Sequence, residues 1–214
     1  MATYLEQSLA KLKEFEGCIP WMYLDTVGKV TVGVGLMLPD ADAAQALPFH
    51  AGDSPAGAQQ IAQEFARVAA MPPGKAASAY RVSNSLLLPQ PAIDQHLSTV
   101  LQHFEAELKT RLPQYDHFPD PVKLALLDMA YNLGPAGLLH GFPHLIAAVE
   151  QGAWAQAAAD CLRHGPSAAR NAWTRQQFLL AAGIALQAEA ESLLARLGRW
   201  LRQAWQSLFF RRAS

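Results

Sequence analysis

The chain is poor in the residues from which chemistry is most easily read. Only two of its 214 residues are cysteine, Cys18 and Cys161, too few for a disulfide framework and without the CxxC or Cys/His spacing of a metal site. Cys18, two residues from Glu16, is read as a small apolar side chain rather than a nucleophile, since no histidine is close in sequence. No run of eighteen apolar residues occurs, which argues against a transmembrane span. A net charge of -1 supplies no basic excess for nucleic acid. The first residues, MATYLEQSLAKLKEFEG, lack a basic stretch followed by an apolar core, so no signal peptide is expected and synthesis in the cytoplasm follows. There is no internal repeat or low-complexity tract.

What is present is ordinary globular material, 51% hydrophobic and 16% charged, in a length that suits one large domain or two lobes sharing a helix. Leu5, Leu9, Leu12 and Phe15 recur at helical spacing and predict a helix over about 4–15, ended by Gly17. Glu16 then falls at the helix terminus. After Pro20, the run from Trp21 to Asp25 suits a strand, 26–29 a turn, and Val30, Val32 and Val34 alternate with Thr31, Gly33 and Gly35. That alternation predicts a hairpin with one packed face and one open face, where the glycines admit a ligand close to the backbone. No third glycine or following helix makes this a dinucleotide loop.

The segment 38–91 predicts a short helix over 40–47, a helix over 58–71 and irregular connections around them. A long helix is expected from Pro91, carrying Ile93, Leu97, Leu101, Leu108 and Leu112 as a spine between two lobes. The run VKLALLDMAYNL is apolar nearly all round and predicts a buried helix, stopped by Gly134-Pro135. Short helices are expected over 142–149 and 154–162, then one capped by Ser167 and carrying RNAWTRQQFLL. His140 and His144 are four apart, but Gly141 and Pro143 spoil a metal-binding helix face. Trp154, Trp173, Trp200 and Trp205 are read as core residues.

Two acids and a hydroxyl on a helix end and a neighbouring hairpin suit hydrolysis of a glycosidic bond. One acid protonates the leaving oxygen and the other stays ionised to activate or orient water. Glu16 fits the first role and Asp25 the second, with the Thr31 hydroxyl holding the water. Trp21 and Tyr23, beside the acids, are candidate walls of a cleft.

The run EFEGCIPWMYLDTVGKVTVGVG resembles the catalytic signature of the phage-type lysozymes, glycoside hydrolase family 24, in which Glu, Asp and Thr follow in this order at these separations. LLDMAYNLGPAG resembles that family's central-helix segment with its Asn-x-Gly turn, and RNAWTRQQFL its late helix; the likeness covers about 4–182. It implies an α+β, mostly helical, lysozyme-like fold: a small β-hairpin lobe and a larger helical lobe joined by a long helix, with 38–91 as a longer connecting insertion. The catalytic domain would span 1–183. The implied activity is hydrolysis of the β-1,4 bond between N-acetylmuramic acid and N-acetylglucosamine, without metal or organic cofactor.

Carried over by residue, Glu16 is the general acid, Asp25 the base or electrostatic partner and Thr31 the water holder. Trp21, Tyr23, Gly33, Gly35 and Asn132 are the substrate-binding candidates. Arg170 or Arg175 is the arginine that pairs with Glu16. Leu36 stands where the family commonly has histidine. Peptidoglycan is the implied partner, met in the periplasm or at the cell wall after release as an endolysin or delivery as an antibacterial effector, with an immunity or delivery protein as a further partner. The rival readings are a lytic transglycosylase and a non-catalytic protein that binds glycan or a partner.

Residues 184–214 read as an additional basic amphipathic helix. Five arginines against two glutamates give it a net charge of +3, leaving -4 on the remainder. Docking on the domain is its expected role, and peripheral contact with an anionic membrane its alternative.

Overall fold

Local signals set most of the elements. In the computed structural model, which describes residues 2–210, helix α1 spans Tyr4–Glu16, begun by a Thr3/Glu6 capping box and ended at Gly17, whose φ of 78° is cheap only for glycine. Strands β1 (Ile19–Leu24), β2 (Val30–Gly33) and β3 (Leu36–Met37) form an antiparallel sheet in that order. The chain then makes α2 (Ala41–Gln45), a small hairpin of β4 (His50–Ala51) and β5 (Ser54–Pro55), α3 (Ala58–Ala69) and the long α4 (Gln90–Arg111). The molecule is mostly helical with small antiparallel sheets, an α+β protein.

The chain divides into two compact units, Met1–Thr110 and Arg111–Ser214. In the first, α1 and α4 run antiparallel, since the Tyr4 hydroxyl donates to Glu105 while Lys13 Nζ meets Asp94 at 2.8 Å. Ile93, Leu97, Leu101 and Leu108 of α4 are buried, as their spacing predicts. The insertion 38–91 holds more order than expected: His50 and Leu87 exchange backbone hydrogen bonds, and Tyr80, wholly buried, donates to Pro72 O. Arg67 binds Glu64 through two nitrogens and caps the Tyr80 carbonyl.

The second unit is built around α5 (Asp120–Leu133), in which every residue from Val122 to Ala130 is buried. Pro119 is its N-cap, and Pro121 sits in its first turn. Helices α6 (Pro135–Gly141), α7 (Pro143–Glu150) and α8 (Trp154–Asp160) follow, and α9 runs Ala168–Phe210. Trp154 is core, edge-on to Phe118 with ring centroids 5.4 Å apart. Ser167 Oγ accepts from Arg170 N, the expected cap.

The expected boundary after residue 183 lies inside α9, which passes through Gly183 without a break. The apolar period continues across that glycine, and one helical Gly costs only about 1 kcal/mol. The expected docking of the tail is also not what its visible side chains do: Leu186, Leu193, Leu194 and Leu197 are exposed. The side chains of Arg199, Trp200, Arg202 and Trp205, together with Arg211 and Arg212, lie outside the described residues.

Candidate active site

The hairpin is organised by Asp25. Its Oδ1 accepts from the backbone N–H groups of Val27 at 2.9 Å and Lys29 at 2.8 Å, while Asp25 N donates to Lys29 O and Gly28 N to Asp25 O. Gly28 makes the turn with φ of 79°. One carboxylate oxygen is thus fixed by the chain's own amides, and Oδ2 has no hydrogen-bond partner among the described residues. A carboxylate held this way keeps one oxygen oriented for a ligand or a water.

Across the sheet, Tyr23 lies opposite Thr31, and Thr31 lies opposite Met37 of β3. Directly opposed residues hold their Cβ atoms about 4.5–5.5 Å apart, so Tyr23, Thr31 and Met37 form one cross-strand row. The Thr31 hydroxyl donates to Lys29 O at 3.1 Å and retains lone pairs to accept from a water. Glu16 enters from the end of α1 and is exposed.

Tyr23 ties the group together electrostatically. Burial pushes its phenol above the ordinary value, and the negative charges of Asp25 and then Glu16 push it the same way. Both acids therefore lie within charge range of one half-buried ring. Within the first unit, Tyr23 and Thr31 are cross-strand neighbours, Asp25 holds the turn two residues after Tyr23, and Glu16 exerts the smaller of the two charge effects on the Tyr23 phenol.

Other expected site residues are placed differently. The face carrying Thr31 and Gly33 is not open: Thr31 is only 3% exposed and Gly33 is buried. A Cβ on Gly33 would approach Ile93 Cγ2 to 3.3 Å, so that glycine admits helix α4 rather than a ligand. The third strand, too short to stand out in the sequence, pairs with β2 and sets Met37 beside Thr31. Gly35, with φ of 75°, is exposed at the turn into β3. Trp21 has its indole N–H on Ala77 O at 2.9 Å and the Arg81 guanidinium 4.6 Å from its ring centroid, so one ring face is already taken. Leu36 packs with His96, Ile93 and Gly33 around a void of about 10 Å³.

In the second unit Asn132 is exposed, two residues before Gly134, whose φ is 73°. Arg170 is buried, its Nε donating to Asp128 Oδ1 at 2.8 Å. Asp128 Oδ2 accepts from Arg163 Nη2 at 2.7 Å and from the Thr174 hydroxyl at 2.8 Å. Sequence reading singled out neither Asp128 nor Arg163; a lone Asp inside an apolar helix run was the signal available. Arg175 is exposed and, with His164, Cys161 and Asn171, lines a cavity of about 630 Å³. The Cys161 thiol there is raised by burial, against the opposing pull of Arg163. Cys18 is half-buried and donates to Gln90 Oε1. Among the described residues no cluster of His, Cys, Asp and Glu is arranged to hold a metal.

No family model matches this sequence, and no curated protein matches it.

Proposed function

We propose that the protein is a muramidase, a glycoside hydrolase that cleaves the β-1,4 bond between N-acetylmuramic acid and N-acetylglucosamine in peptidoglycan. What supports this reading is the order and spacing of Glu16, Asp25 and Thr31, those of the family 24 lysozyme signature, with Thr31 paired across the sheet to Tyr23, whose phenol is raised by burial and by the charges of Asp25 and Glu16. The lysozyme-like arrangement of the fold belongs to the same proposal and rests on the resemblance.

In this mechanism Glu16, exposed at the end of α1, gives its proton to the leaving glycosidic oxygen. Asp25, anchored through Oδ1, offers Oδ2 to the attacking water. The Thr31 hydroxyl, already donating to Lys29 O, accepts a hydrogen from that water and fixes its position. Water attacking from the face opposite the leaving group inverts the anomeric centre, the outcome associated with carboxyl groups about 6.5–9.5 Å apart. Wall substrate implies work in the periplasm or at the cell wall, reached by lysis-linked release or by delivery into a competitor.

The test is digestion of purified peptidoglycan with mass spectrometry of the muropeptides. Wild type should yield reducing N-acetylmuramic acid ends, and Glu16→Gln should be slower by about 10²–10⁴-fold. An anhydromuramyl product would transfer the assignment to a lytic transglycosylase. Equal rates for wild type and Glu16→Gln would leave a glycan-binding protein.

A further inference from the structure

Among the described side chains of α9, four leucines stand exposed. Leu186, Leu193, Leu194 and Leu197 are 67%, 62%, 68% and 55% exposed. At about 100° per residue they share an arc of about 100°, and the sequence repeats the spacing at Leu201, Ala204 and Leu208. Arg196 is exposed and falls outside that arc, with Arg199 and Arg202 following at intervals of three. From Ser192 to Ser214 the chain has five arginines and no Asp or Glu.

Three occupants compete for such a face. The body of the chain is not one of them for these four leucines, which stand in solvent. A second copy paired along 192–208 would set six arginines about one seam with no acid from that stretch to oppose them, and like charge at close range opposes association. An anionic bilayer satisfies both faces at once, since the leucines enter the headgroup–acyl boundary while the arginines meet lipid phosphates. No helix among the described residues is long and apolar enough to cross a membrane, so the helix would lie on the surface.

We propose that the segment 186–208 is a membrane-surface anchor for anionic phospholipid, an assignment independent of the enzymatic reading. The full chain should co-sediment with vesicles of phosphatidylglycerol and phosphatidylethanolamine and not with phosphatidylcholine vesicles. Each Arg→Gln at Arg196, Arg199 or Arg202 should weaken partitioning about fivefold, and binding should fall as salt is raised from about 0.05 to 0.5 M. The double variant Leu193→Gln/Leu197→Gln should lose at least about tenfold in binding, with an unchanged circular dichroism spectrum and melting temperature because both side chains are exposed. Failure to bind anionic vesicles, or equal binding to neutral ones, overturns the proposal. So does a concentration-dependent dimer in sedimentation velocity that the leucine variant abolishes, which would assign the face to a second copy.

Discussion

Tyr23 reports on its neighbours. Its phenol must acquire a negative charge to ionise, and Asp25 and Glu16 resist that charge on top of the cost of burial. Removing either carboxylate charge therefore eases ionisation. A titration followed by NMR of the tyrosine ring carbons, with Tyr23→Phe to assign the signal, should show a lower Tyr23 pKa in Asp25→Asn and a smaller lowering in Glu16→Gln. An unmoved value in Glu16→Gln would mean that Glu16 does not face the hairpin, and the four-residue site would lose its proton donor. The positions of Glu16, Asp25 and Thr31 were legible because each follows from a local rule: a helix stop, a turn and a strand. Asp128 was not, because the meaning of one Asp in an apolar run depends on Arg163 and Arg170, 35 and 42 residues away.

At the scale of elements, helical periodicity carried well and strand periodicity carried halfway. α1, α3, α4 and α5 lie where the apolar spacing puts them, because each buries one stripe or a whole barrel of side chains. The hairpin was found, but its two-residue neighbour β3 was not, and with it went the expectation of an open face beside Thr31. Asp25 has a structural duty in this element that can be separated from its chemical one. Asn retains an oxygen that accepts from the Val27 and Lys29 amides, whereas Ala does not. Asp25→Asn should keep the stability of wild type while losing cell-wall hydrolysis, and Asp25→Ala should lose hydrolysis and also about 1–2 kcal/mol in urea unfolding. If Asp25→Asn retains full hydrolysis, the carboxylate serves the turn alone.

Over the whole molecule, the two units are held by different means. In the first, half-exposed pairs such as Lys13–Asp94 add little, the buried Glu64 and Glu105 each meet a cation on their own helix, and apolar side chains from the sheet, α3 and α4 supply the packing between elements. In the second, one carboxylate is buried at 3% exposure and serves two guanidinium groups and a hydroxyl. This ties α5, the 161–167 loop and the start of α9 together through a single residue. Taking away one member of such a cluster leaves charge in a medium that solvates it poorly, a cost of about 3–5 kcal/mol. Asp128→Ala should therefore lower stability by that amount, and hydrogen exchange should show the loss in α5 and α9. The amides of β1 and β2 should keep their protection, since their partners lie within the first unit. A loss below about 1 kcal/mol would mean that water reaches the cluster and that apolar packing alone holds α9 to α5.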